Sequence, residues 1–179
     1  MKKILVGIIL LFLVGCSSKE IKDINGNTMN DESFDIYSLE LKDAITVLDQ
    51  SVDEGDIVQN TIDIIGMCCD QMSLLIQSYQ DGNDNEFKAS AKELNKNCNK
   101  LLDITSEKNK ILKEKIESAP FEEYSRSLKR SLDVFVSITD DMKNVKDVDD
   151  YEFNFDRVDL LFDEHINTFL EYSQNLTYK

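Results

Sequence analysis

The chain has 179 residues, with one Pro, six Gly, no Trp, a single His and a formal charge of −15. That composition excludes collagen-like and Pro-rich architectures, and 35 acidic against 20 basic side chains leaves no patch of cations to neutralise nucleic-acid phosphates. An apolar share of 41% is the globular norm and suffices for one core at this length.

Lys2 and Lys3 precede an apolar run from Ile4 to Val14, which is followed by Gly15, Cys16, Ser17 and Ser18. A charged start, an apolar stretch of about 7–15 residues and a small-residue cleavage site form an export signal, whereas a spanning helix needs about 20 apolar residues. The tetrapeptide Leu13-Val14-Gly15-Cys16 resembles the lipobox of bacterial lipoproteins. That resemblance covers the first sixteen residues. It implies cleavage between Gly15 and Cys16, a diacylglycerol on the Cys16 sulfur, and a mature chain tethered to the extracytoplasmic face of a cell membrane.

Losing residues 1–15 removes both N-terminal lysines and leaves 18 basic against 35 acidic side chains, a formal −17. Basic clusters, not acidic ones, attract lipid headgroups, so the lipid itself is expected to do the anchoring. Residues 16–30 comprise the lipidated cysteine and a polar stretch, SSKEIKDINGNTMN, in which Ile21, Ile24 and Met29 stand isolated; this reads as a flexible tether.

From residue 31 to 179 the apolar residues recur by threes and fours, the spacing that lines one face of a helix. The first helix, about 31–53, uses Phe34, Leu41, Ile45, Leu48 and Val52, with Asp31 and Glu32 suited to the positive end of its dipole. The second, about 57–80, carries Val58, Ile62, Ile65, Cys69, Met72, Ile76 and Tyr79. Asp56 and Gln59 are spaced as a capping box before it, and Asp81-Gly82 stops it.

The third, about 86–118, uses Phe87, Ala91, Leu94, Cys98, Leu101, Leu112 and Ile116, and its charged stretch Ser106–Lys115 is expected to overhang the bundle. Ser118-Ala119-Pro120 opens a fourth, since Pro is tolerated only in a helix's first turn. Its seam is Phe121, Tyr124, Leu128, Phe135, Ile138, Met142 and Val145. A fifth follows Asp149, spaced as a cap to Glu152, with Phe155, Val158, Phe162, Ile166, Phe169, Tyr172 and Leu176 inward.

Short connections make successive helices antiparallel, so the expected fold is all-α: an up-and-down bundle of four to five helices after a signal peptide and tether. The stretch Ala119-Pro120-Phe121-Glu122-Glu123-Tyr124 loosely resembles small helical lipoproteins of Gram-positive bacteria.

No catalytic constellation is expected. His165, the single histidine, falls between Phe162 and Phe169 on an apolar seam and reads as a core or boundary residue. Asp140-Asp141 and Asp149-Asp150 are adjacent in sequence, point about 100° apart on a helix and read as caps and solvated surface. Asp81, Asn83 and Asn85 mimic the start of a calcium loop, but Glu86 and Lys92 stand where Gly and a bidentate Glu are required. Zinc lacks a CxxC pair, so no metal or cofactor is assigned.

The leading expectation of function is a non-catalytic, lipid-anchored module that binds an envelope or secreted protein. One alternative is copper handling through the soft ligands Met67, Cys68, Cys69, Met72 and Cys98. Another is a mobile-element lipoprotein serving exclusion or conjugation. A hairpin centred near Asn83 places Cys69 fourteen residues before the centre and Cys98 fifteen after it, so a Cys69–Cys98 disulfide is expected, with Cys68 a free thiol.

Overall fold

The computed structural model describes residues 31–82, 84–146 and 151–179, the side chains of 31–38 excepted. The signal, Cys16, the tether, Asn83, Asp149 and Asp150 lie outside the described residues, as does the side chain of Phe34. Helix dominates: α1 Asp31–Gln50, α2 Glu54–Gln80, α3 Asp84–Lys115, α4 Ser118–Lys143, and a last stretch made of α5 Phe155–Leu160, a π-helical segment Leu161–Ile166 and α6 Asn167–Gln174. The all-α antiparallel bundle is what forms. The 32 residues of α3 make it roughly 48 Å long, the spine of the molecule.

In cross-section α2, α3, α4 and α6 follow one another around a ring, and α1 lies outside it against α2 and α3. This arrangement surrounds α2. From Gln71 to Ile76 every residue is buried, so no single stripe describes the helix. The expected α2 seam is corrected accordingly: Ile64, Cys68 and Leu75 are fully buried, whereas Ile62, Cys69 and Tyr79 are only partly so. The α4 seam holds from Phe121 to Met142 because that helix has one apolar face and the longest shared border with α3. Asn95 braces this border: its amide donates to the Val136 carbonyl (3.1 Å) and Thr139 Oγ1 (3.0 Å), and its oxygen accepts from Lys143 Nζ (2.8 Å).

Helix boundaries follow local chemistry. Asp53, not Asp56, caps α2, its carboxylate accepting from the amides of Gly55 (2.9 Å) and Asp56 (3.2 Å), so the helix starts three residues earlier than about 57. Val52 falls in the linker just before that cap and is exposed rather than buried. Gly82 ends the α2 turn with φ of 68°, a conformation that side-chain-bearing residues resist. Pro120 sits in the first turn of α4, where its missing N–H costs nothing.

The expected overhang of Ser106–Lys115 does not occur. Leu112 and Ile116 are fully buried, and Lys108, 8% exposed, reaches across to the end of α1. Its ammonium donates to the Asp49 carbonyl and to the Ser51 carbonyl (2.8 Å), two acceptors that the helix cannot satisfy itself. At the same end the C-terminal residues form a strap over the α3–α4 junction. The Glu117 amide donates to the Thr177 carbonyl and the Lys179 amide to the Lys115 carbonyl, both at 2.9 Å.

At the opposite end the closure is aromatic. The Tyr79 ring lies 5.1 Å from Phe153, 5.7 Å from Phe87 and 6.0 Å from Tyr151, and its hydroxyl donates to the Tyr151 carbonyl at 2.8 Å. Phe155 stacks 4.5 Å from Phe153 but is 42% exposed, which corrects its place in the expected fifth seam. Asn154 is the observed cap of α5, accepting from the Arg157 amide at 3.1 Å. Beyond it the π-helical segment changes the facing of the chain, so Leu161, Leu170 and Ser173 are buried while Phe162, Tyr172 and Leu176 sit at the edge of the core.

Candidate functional site

The soft-ligand cluster lies midway along α2 and α3. Hairpin geometry alone brings the middle of α2 opposite the middle of α3, and the rotation of α2 then decides which cysteine faces inward. Cys68, Met72 and Cys98 are fully buried; Met67 and Cys69 are partly buried against the same core. The neighbouring Cys68, with burial second, pushes the Cys98 thiol well above the usual range. Burial, then the neighbouring Cys68 and Asp70, likewise raise the Cys69 thiol.

The expected Cys69–Cys98 bridge is not formed. All three cysteines are free thiols. Among the described residues, no three His, Cys, Asp or Glu side chains are placed to hold a metal ion together.

His165 is 6% exposed and lies in the π-helical segment, where its backbone carbonyl accepts from Ser131 Oγ at 3.1 Å. Burial, and then Arg130, lower the imidazole pKa, against the raising effect of Glu164. Arg130 and Glu164 pair at 3.7 Å on the surface. The ring therefore belongs to the boundary between α4 and the last helical stretch.

The other expected sites resolve into local roles. Asp81 takes both hydrogen bonds of its carboxylate, at 2.8 Å each, from the Gln77 amide one turn earlier. Asp140 pairs with Lys143 at 2.6 Å, while Asp141 pairs with Arg157, so the two adjacent carboxylates serve different partners. Arg157 also donates to Ser137 Oγ at 2.8 Å, pinning α5 to α4 beside a water-sized cleft lined by Ile138, Met142, Tyr151, Phe153 and Asn154.

Sequence reasoning missed Lys108, the aromatic end and the strap. A lysine at a helix-interior position reads as solvated, and only the parallel packing of α1 beside α3 reveals its targets. Gln71 and Asn97 escaped for the same reason: both are buried, and neither Gln71 amide atom nor the Asn97 amide nitrogen has a hydrogen-bond partner in the protein. Among the described residues no helix is long and apolar enough to cross a membrane. Comparison with known proteins finds no matching family model, no matching curated protein and no matching solved structure.

Proposed function

We propose that this chain is an exported lipoprotein, held to the extracytoplasmic face of a cell membrane by an acylated Cys16, and that its helical bundle acts by binding a protein of the envelope or the secreted pool. The observation that carries the reading is the N-terminal order of Lys2-Lys3, the apolar run Ile4–Val14 and Leu13-Val14-Gly15-Cys16.

The bundle is compatible with that address. Helix α1 starts at Asp31, fourteen residues separate it from Cys16, and a flexible linker of this length would have a root-mean-square reach of about 20 Å. A tether of that reach would keep the bundle close to the bilayer while letting it turn. A formal −17 on the mature chain repels anionic headgroups and keeps its sides off the membrane, available to a partner. The copper alternative finds no support in the separation of Cys68 from Cys69 on the surface of α2, and no observation favours the mobile-element alternative.

Anchoring is tested by metabolic labelling with a fatty-acid analogue and fractionation of the full chain and its Cys16→Ser variant. Acyl chains contribute about 0.8 kcal/mol per buried CH₂, and two of them hold a protein stably. The full chain is expected to carry label and sediment with membranes, and the variant to lose label and appear soluble or unprocessed. A cleaved Cys16→Ser protein that still sediments would assign membrane binding to the bundle and overturn the lipid anchor.

A further inference from the structure

The most exposed large apolar side chain among the described residues is Val52, at 76%, in the linker between α1 and α2. Its backbone is fixed on both sides. Before it, the Ser51 amide and hydroxyl donate to the Val47 carbonyl (3.0 and 2.9 Å), Asn60 Nδ2 donates to the Ser51 hydroxyl at 3.0 Å, and Lys108 holds the Ser51 carbonyl. After it, the Asp53 carboxylate caps α2. An apolar side chain held out on immobilised backbone has little freedom left to lose when something covers it, which is the condition for a binding anchor. Val47, one turn before Ser51, and Tyr178, which the bridge to Ile116 holds in the strap, are each about half exposed at the same end. Burial, then Glu54 and Asp53, raise the Tyr178 hydroxyl, in keeping with a place beside the linker.

Around Val52 the charge has one sign. From Asp43 to Phe87 the chain carries ten acidic residues and no basic one, and Asp49, Asp53, Glu54 and Asp56 all fall within four positions of the valine. Among the described residues none of those four carboxylates is in an ion pair. Lys108 is buried and committed to carbonyls, and the strap's Lys179 turns to α3, where its ammonium donates to the Lys113 carbonyl at 3.5 Å. The twenty residues of α1 put roughly 30 Å between Asp31, where residues 16–30 join, and this linker.

We propose that the linker end of the bundle is the docking surface for its partner, and that the docking segment is a basic amphipathic helix of an extracytoplasmic protein. This rests on the reading of the chain as an anchored, protein-binding lipoprotein and names the chemistry of the partner. An apolar side chain of the segment covers Val52 and Val47, and its flanking Lys or Arg side chains meet Asp49, Asp53, Glu54 and Asp56. The apolar contact holds the segment, while the exposed charge pairs speed its approach and select its sign. A second copy of this chain would set the same carboxylates against one another, and an anionic lipid surface is repelled in the same way.

The test is a titration of the full chain, in phosphatidylcholine nanodiscs with empty discs as the blank, against a dye-labelled helical peptide with a leucine stripe flanked by lysines. Peptides with glutamate for every lysine, and with serine for every leucine, accompany it. Val52→Ser and the double variant Asp49→Asn/Asp56→Asn are each expected to weaken the lysine–leucine peptide about tenfold by anisotropy. Leu39→Ser and Glu40→Gln/Asp43→Asn, which make the same changes at exposed positions nearer the start of α1, are expected to stay within about twofold. Equal losses in both sets would overturn the proposal, since any acidic surface would then serve. So would a glutamate or serine peptide that binds as well, or self-association of the full chain that Val52→Ser abolishes. Acylation is scored on the same preparation. An unacylated chain whose affinity depends on Val52 overturns the anchor alone, and an acylated chain whose affinity does not overturns the docking surface alone.

Discussion

The two ends of the bundle are closed by different physics. Where α1 hands over to α2 and α3 to α4, closure is polar and directional: the Lys108 ammonium on two carbonyls, and a strap of main-chain hydrogen bonds from Thr177 and Lys179. Where α2 hands over to α3, closure is a stack of rings, Tyr79, Phe87, Tyr151, Phe153 and Phe155, with one hydroxyl bond among them. Stacked rings tolerate sliding and draw on buried area, whereas a buried ammonium depends on a fixed geometry and is costly to leave unpaired. Damage at the aromatic end should spread through packing, and damage at the polar end should stay local.

The largest effect is expected from Phe87→Ala. The ring is fully buried between Tyr79 and Tyr151, and its removal should cost about 3–5 kcal/mol in urea unfolding. Hydrogen exchange should accelerate in α2, α3 and the 151–155 segment together. Protection lost at one turn only would break the contrast between the ends.

Lys108→Met keeps an apolar stem of similar length but removes the donor to Asp49 and Ser51. About 2–3 kcal/mol should be lost, with faster exchange confined to the last turn of α1 and the start of α2. A loss below about 0.5 kcal/mol would mean that water serves those carbonyls as well as the ammonium does.

The smallest effect concerns His165, which belongs to neither end and so serves as a reference between them. Burial holds the ring below its ordinary pKa of 6.5, so the unfolded chain takes up the proton first. Stability from this group is complete above pH 6.5 and is lost as pH falls through that value towards the folded-state pKa. Between pH 7.5 and 5 the full chain should therefore lose more stability than His165→Gln, and parallel curves for the two proteins would refute the assignment.

Much of this architecture could be read before any coordinates. Apolar spacing, Pro120 and Gly82 mark where helices begin and stop, and the single apolar face of α4 leaves one way to orient it. Periodicity failed on α2 because Gln71 to Ile76 are buried all round, and a helix covered on every side has no face for a pattern to identify. That failure put Cys69 on the seam where Cys68 is the fully buried cysteine of the helix. Lys108 was illegible for another reason: its partners are carbonyls of a helix more than fifty residues earlier, and backbone acceptors leave no trace in residue type. The reading of Cys16 rests on the N-terminal sequence itself.

The π-helical segment Leu161–Ile166 gives the last helix one residue more than an ideal α-helix would need over the same length. In terms of chain editing, it is a slot with one residue to spare. A single deletion between Phe162 and Glu164 could be accommodated by relaxation to α-helix, leaving Phe169 and Leu170 against the core. The same deletion inside α4 would turn every later side chain of that helix about 100° off its seam. Length variation in this chain should therefore be cheapest where its backbone is least regular.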